Sequence, residues 1–164
     1  MTFFMVALPI FITVAFLAYV VYNEKKAKRQ KNLLSQKSKT IIKFEKFYWT
    51  LNNWLDIKQD GYNLAEWFIK RGYKKIAIYG AKELGERLYE ELKGSDVVVS
   101  YFIDKNRDIH LSNDDVKVYS PESTLEEVDV IVVTAIYYFT DIADGLRPKV
   151  RCPVVSLETV INEI

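Results

Sequence analysis

Phe3–Tyr22 is an apolar run of twenty positions without a charged side chain, and five Lys or Arg then fall within the eight residues Glu24–Lys31. As a helix rising about 1.5 Å per residue, such a run covers about 30 Å, the hydrocarbon thickness of a bilayer. The pattern predicts a transmembrane anchor over residues 1–23. Lys25, Lys26, Lys28, Arg29 and Lys31 mark the flank that stays in the cytosol, since Lys and Arg beside a span resist translocation. No Lys or Arg precedes the run. The expectation is a single-pass protein of the cell membrane, N-terminus out, with a cytoplasmic C-terminal domain. A cleaved signal peptide would want a positive N-region and small residues before the cut, but Ala15 and Ala18 have the wrong spacing. A buried soluble helix would show a polar face, and this run has none.

Residues 24–40 form a basic juxtamembrane linker, expected to continue the helix and fray. Ile41, Phe44, Phe47, Tyr48, Leu51, Trp54 and Leu55 then recur at spacings of three and four, which predicts an amphipathic helical segment over residues 41–71 with a break at Asp60-Gly61. The aromatic stripe has three readings at this level: packing on the following domain, lying on a membrane surface, or forming a self-association seam. Leu64–Ile69 predicts a second short helix closed by Arg71-Gly72.

From residue 72 to residue 164 the period alternates. Strands are predicted at Lys75–Tyr79, Val97–Ile103, Val116–Tyr119, Asp129–Thr134 and Pro153–Leu157. Helices are predicted at Leu84–Leu92, after Ser120-Pro121, at Phe139–Leu146 and at Glu158–Ile164. Strands apolar on both faces and alternating with helices imply an α/β fold with a doubly wound parallel sheet of about five strands. Right-handed crossovers give the order 3-2-1-4-5. A polar loop, Lys105–Asp115, interrupts the pattern.

Charge changes the picture along the chain. Residues 1–71 carry 12 Lys or Arg against 5 Asp or Glu, and residues 72–164 carry 11 against 17. The basic stalk suits anionic lipids, with Lys25–Lys31 as the contact. The acidic C-terminal part argues against nucleic acid as a partner. Cys152 is the only cysteine and His110 the only histidine, so neither a disulfide framework nor a zinc cluster is expected.

Ligands of doubly wound sheets bind beyond the carboxyl ends of the strands, where the strand order reverses. Here that edge collects Gly80–Gly85, Asp104 and Thr134–Tyr138. The turn Gly80-Ala81-Lys82-Glu83-Leu84-Gly85 matches G-x-G-x-x-G at its first and third glycines, with Lys82 at the second. Lys82 either obstructs phosphates or pairs with them, while the helix N-terminus offers free N–H groups to an anion. Asp104, nineteen residues past Gly85, stands where a carboxylate accepts from a ribose hydroxyl. Both features also have plain turn-forming readings. Thr134, Tyr137 and Tyr138 are placed either to contact a ligand or to pack. The candidate nucleotide-binding residues are therefore Gly80, Ala81, Lys82, Gly85, Asp104 and Thr134. No catalytic residue emerges, and the Tyr-x-x-x-Lys pair of a short-chain dehydrogenase is missing after Tyr137 and Tyr138.

The runs IAIYGAKELGERLYEEL (Ile76–Leu92), YFIDKN (Tyr101–Asn106), VYSPE (Val118–Glu122), DVIVVTA (Asp129–Ala135) and CPVVSLE (Cys152–Glu158) resemble small Rossmann-like modules of bacterial capsule and glycan-biosynthesis proteins. These occur alone or attached to glycosyltransferases. They are similar to the nucleotide-sugar-binding N-terminal domain of sugar acyltransferases and to CoA/NAD-binding folds. The resemblance implies a nucleotide-sugar or NAD as ligand, held near Gly80, Ala81, Gly85 and Asp104. It also implies an accessory role in envelope polysaccharide synthesis, with a glycosyltransferase or a second copy as partner. Lys82 departs from the glycine usual in these turns, and no catalysis carries over. The rival expectation is a ligand-free, membrane-tethered scaffold docking through its aromatic helices; an NAD-linked redox enzyme is a third.

Overall fold

The structure is a computed structural model that describes the backbone of residues 2–106 and 116–164, with side chains from residue 16. The chain divides into two compact units, Met1–Glu45 and Lys46–Ile164. Helix α1 spans Thr2–Gln59, so the expected linker is helical throughout. In the first unit Phe16, Leu17, Tyr19 and Tyr22 are 62–64% exposed. Among the described residues no helix is long and apolar enough to cross a membrane. Of the expected span, the side chains of residues 3–15 lie outside the described residues.

The second unit is an α/β domain built on a five-stranded, all-parallel sheet: β1 (Lys75–Tyr79), β2 (Val98–Ile103), β3 (Val118–Tyr119), β4 (Val130–Val133) and β5 (Val154–Ser156), in the order β3-β2-β1-β4-β5. The remaining helices are α2 (Leu64–Lys70), α3 (Glu83–Leu92), α4 (Phe139–Leu146) and α5 (Leu157–Asn162). Alternation along each strand sorts the core into two layers. Ile76, Ile78, Phe102, Val130 and Val132 face α2, α3 and α5. Ala77, Tyr79, Tyr101, Ile103, Ile131 and Val133 face α4. These strand residues are 0–6% exposed, so the sheet is covered on both sides, as its near-continuous apolar strands require.

The aromatic stripe resolves into two faces within this unit. Phe47, Thr50, Trp54 and Ile57 turn toward the core, with Trp54 5% exposed, whereas Tyr48, Trp49 and Leu55 are 52–59% exposed. Glu91 on α3 holds three elements together. Its carboxylate accepts from Trp54 Nε1 at 2.6 Å and from the Leu64 backbone N–H at 2.8 Å, and it pairs with Lys58 Nζ at 3.2 Å. The end of α1 and the start of α2 are thereby fastened to α3.

Two expectations need correction or fall outside view. The helix expected after Ser120-Pro121 does not form. Ser120 Oγ accepts from Glu122 N–H at 3.2 Å and closes a single turn. Beyond it, the Glu126 carbonyl accepts from Tyr101 Oη and the Glu126 carboxylate from Tyr119 Oη, each at 2.6 Å, which holds the segment in an irregular path along the sheet. The expected loop Lys105–Asp115, with His110, lies outside the described residues from residue 107 onward.

Glu91→Ala leaves the Trp54 and Leu64 donors without their acceptor and should cost about 2–4 kcal/mol in urea unfolding, against a smaller loss for Glu91→Gln, which keeps an acceptor. Alkali should act through Tyr101. Burial first, then the nearby Cys152, Glu126 and Tyr119, push its phenol up to about 12 from an ordinary 10. A raised pKa contributes stability that is complete below pH 10 and lost as pH climbs toward 12. Wild type should therefore lose stability across that window in thermal melts, and Tyr101→Phe should lose less.

Candidate functional site

The sheet order reverses between β1 and β4, which places the β1–α3 turn beside the segment that follows β4. Hydrogen bonds tie the end of β1 to both neighbouring strands. Gly80 N–H donates to the Ile103 carbonyl at 2.8 Å and Thr134 N–H to the Tyr79 carbonyl at 2.9 Å. The Thr134 hydroxyl donates between the Tyr79 and Gly80 carbonyls, at 3.0 and 3.1 Å. Thr134 is 5% exposed and acts as a clasp on the β1 terminus.

Both glycines of the turn have a physical reason. Gly80 takes φ 104°, and a Cβ there would lie 2.6 Å from Thr134 Oγ1. A Cβ on Gly85 would run into the Gly80 carbonyl oxygen, so only glycine lets α3 start this close to β1. Lys82 is the N-cap residue of α3, in extended conformation, and its side chain makes no capping bond. It is exposed and pairs with no carboxylate among the described residues.

Asp104 sits at the end of β2 and reaches across to the turn. Its Oδ2 accepts from Ala81 N–H at 3.0 Å and its Oδ1 from Asn106 N–H at 2.9 Å. The carboxylate is thus held in place by the backbone, with lone pairs left on both oxygens for a further donor. The Ala81 N–H is engaged by Asp104, which leaves the first-turn N–H groups of α3 as the backbone donors available to an anion.

A cleft of about 890 Å³ opens over this edge. Gly80, Lys82, Asp104 and Thr134 of the sequence candidates line it, whereas Ala81 and Gly85 are buried behind it. Tyr138 lines it and is 44% exposed; Tyr137 does not. Residues not named as site candidates from sequence complete the wall, among them Phe47, Tyr79, Glu122, Asp141 and Lys149. Lys149 Nζ pairs with Glu122 Oε2 at 2.9 Å and donates to the Pro121 carbonyl at 3.0 Å, joining two connections across the cleft rim. The Tyr79 phenol is pushed above its ordinary range, chiefly by burial and further by the negative charges of Asp104 and Glu122. The sequence signal for Tyr79 was its place as the last residue before Gly80. Glu122 and Lys149 had none, because irregular connections carry them to the rim. Among the described residues no group of three His, Cys, Asp or Glu is placed to hold a metal ion.

Gly85→Ala should force α3 off β1 and lower stability by about 3 kcal/mol or more, read by thermal unfolding, while Lys82→Gly, at an exposed position, should change it by about 1 kcal/mol or less. Residues 72–148, which carry β1 through α4 and so most of the cleft, match the model of a family described as C2185-like, N-terminal. No curated protein and no solved structure matches the chain. The matched stretch and the parallel sheet in this order make the C-terminal part a small Rossmann-like α/β domain.

Proposed function

We propose that the chain is a membrane-anchored, cytosol-facing accessory protein whose Rossmann-like domain binds a nucleotide or nucleotide-sugar, in bacterial envelope polysaccharide synthesis. The observation that carries the binding reading is the cleft itself. It lies at the carboxyl edge of a doubly wound sheet, over the β1–α3 turn and beside Thr134 and Tyr138, at the strand-order reversal where such folds take ligands. Lys82 supplies a cation at the mouth of the α3 N-terminus, where a phosphate is favoured by both charge and free N–H groups. Its Cβ stands where a second glycine would let a pyrophosphate touch the backbone, so the ammonium takes over part of that contact. Asp104 offers its remaining lone pairs to ligand hydroxyls, and Tyr138 offers an exposed ring for stacking. Support for the anchor comes from the uncharged run Phe3–Tyr22 with its basic flank and from the exposure of Phe16, Leu17, Tyr19 and Tyr22. The pathway and a glycosyltransferase partner rest on the resemblance alone.

The exposed Tyr48, Trp49 and Leu55 favour a second reading, a ligand-free scaffold that docks through α1. Titration calorimetry on the full-length chain in mild detergent separates the two. The ligands are NAD, NADP, CoA and UDP-, GDP-, CDP- and dTDP-sugars. The binding reading expects saturable heat from one nucleotide class, weakened about tenfold or more by Lys82→Glu, since the reversed charge repels phosphate. No heat from any ligand at millimolar concentration overturns it. The scaffold reading expects that silence, together with a sedimentation coefficient that falls when Tyr48 and Leu55 are replaced by Lys.

A further inference from the structure

Tyr79 ends β1 and is 6% exposed, yet its hydroxyl has no hydrogen-bond partner among the described residues. The other tyrosines of this layer behave differently. Tyr101 and Tyr119 donate to the Glu126 carbonyl and carboxylate. A buried phenol normally finds a partner, because an unsatisfied hydroxyl costs about 1–3 kcal/mol. Tyr79 is not among the fully enclosed orphans, and it lines the cleft, so its hydroxyl opens onto that space. Two carboxylates bear on it electrostatically, Asp104 and Glu122, and both line the same cleft. Each keeps acceptor capacity. Asp104 takes one backbone N–H on each oxygen, and Glu122 engages Lys149 through Oε2 with its side chain 82% exposed.

A neutral O–H donor that shares a cleft with two carboxylate acceptors complements a pair of neighbouring alcohol groups. An alcohol both donates and accepts, so each can give its proton to a carboxylate while one accepts from the phenol. We propose that Tyr79, Asp104 and Glu122 form a subsite for vicinal hydroxyls of the ligand, with the Tyr79 hydroxyl as its specificity-determining donor. The subsite rests on the reading of the cleft as a nucleotide site. The hydroxyls come either from the ribose of the nucleotide or from an attached glycosyl group. Burial and the two carboxylates hold the phenol protonated at neutral pH, so it remains a donor.

The test is calorimetry on full-length wild type, Tyr79→Phe and Glu122→Gln in mild detergent. The ligands come in pairs: UDP with UDP-glucose, GDP with GDP-mannose, CDP with CDP-glucose, and dTDP with dTDP-glucose. Tyr79→Phe removes only an oxygen that bonds to no group among the described residues, so its melting temperature should stay within about 2 °C of wild type. Binding should weaken about tenfold in Tyr79→Phe and fall in Glu122→Gln as well. A loss confined to the sugar-bearing member of a pair assigns the hydroxyls to the glycosyl group. An equal loss for both members assigns them to the ribose. Tight binding that Tyr79→Phe leaves unchanged overturns the subsite while sparing the nucleotide reading. Binding of none of these ligands to wild type overturns both.

Discussion

The contact between the Gly80 carbonyl and Gly85 governs the carboxyl edge of the sheet in this domain. It brings the first turn of α3 against the end of β1 at a distance that no Cβ would permit. With α3 seated there, Leu84, Leu88 and Leu92 reach the core layer formed by Ile76, Ile78 and Phe102. The same approach orients the first N–H groups of α3 over the sheet edge. Thr134 and Asp104 then hold the turn from opposite sides, one through the Tyr79 and Gly80 carbonyls and the other through Ala81 N–H. Three neighbouring strands thus share in fixing the edge.

Glu91 carries a comparable role on the far side of α3. A single carboxylate receives an indole N–H, a backbone N–H and an ammonium from α1 and α2. Bonds between a carboxylate and N–H donors are among the stronger ones available. Arg71, stacked 4.0 Å from the Trp67 ring centroid and paired with Glu163 at 2.7 Å, closes the same layer from the C-terminal end. The end of α1 from Lys46 onward and α2 are therefore part of the domain, and Phe47 contributes to the cleft wall.

The cleft is lined by charges of both signs, Lys82, Lys105 and Lys149 with Glu83, Asp104, Glu122 and Asp141. Lys82 stands at the α3 end without a partner carboxylate among the described residues. Tyr79, Asp104 and Glu122 line the same cleft, and the Glu122–Lys149 pair spans part of the rim.

The sheet order and most elements of the α/β domain were legible in the chain. Strand alternation, glycine at helix ends and apolar helical spacing are local signals, and parallel crossovers have one hand. The helix after Ser120 was misread because its signals, Ser then Pro, were local, while the hydroxyls of Tyr101 and Tyr119 that hold Glu126 come from other strands. The same limit applies to the aromatic stripe, whose spacing could not distinguish Trp54 on the core from Tyr48 in solvent. Of the site, the sequence alone determined the turn with its two glycines and the place of Asp104, since both follow from position at strand ends. Only the tertiary structure decided that Thr134 is a clasp, that Asp104 holds the backbone, and that Tyr79 opens onto the cleft beside Glu122, because those depend on which side chains meet across strands distant in sequence.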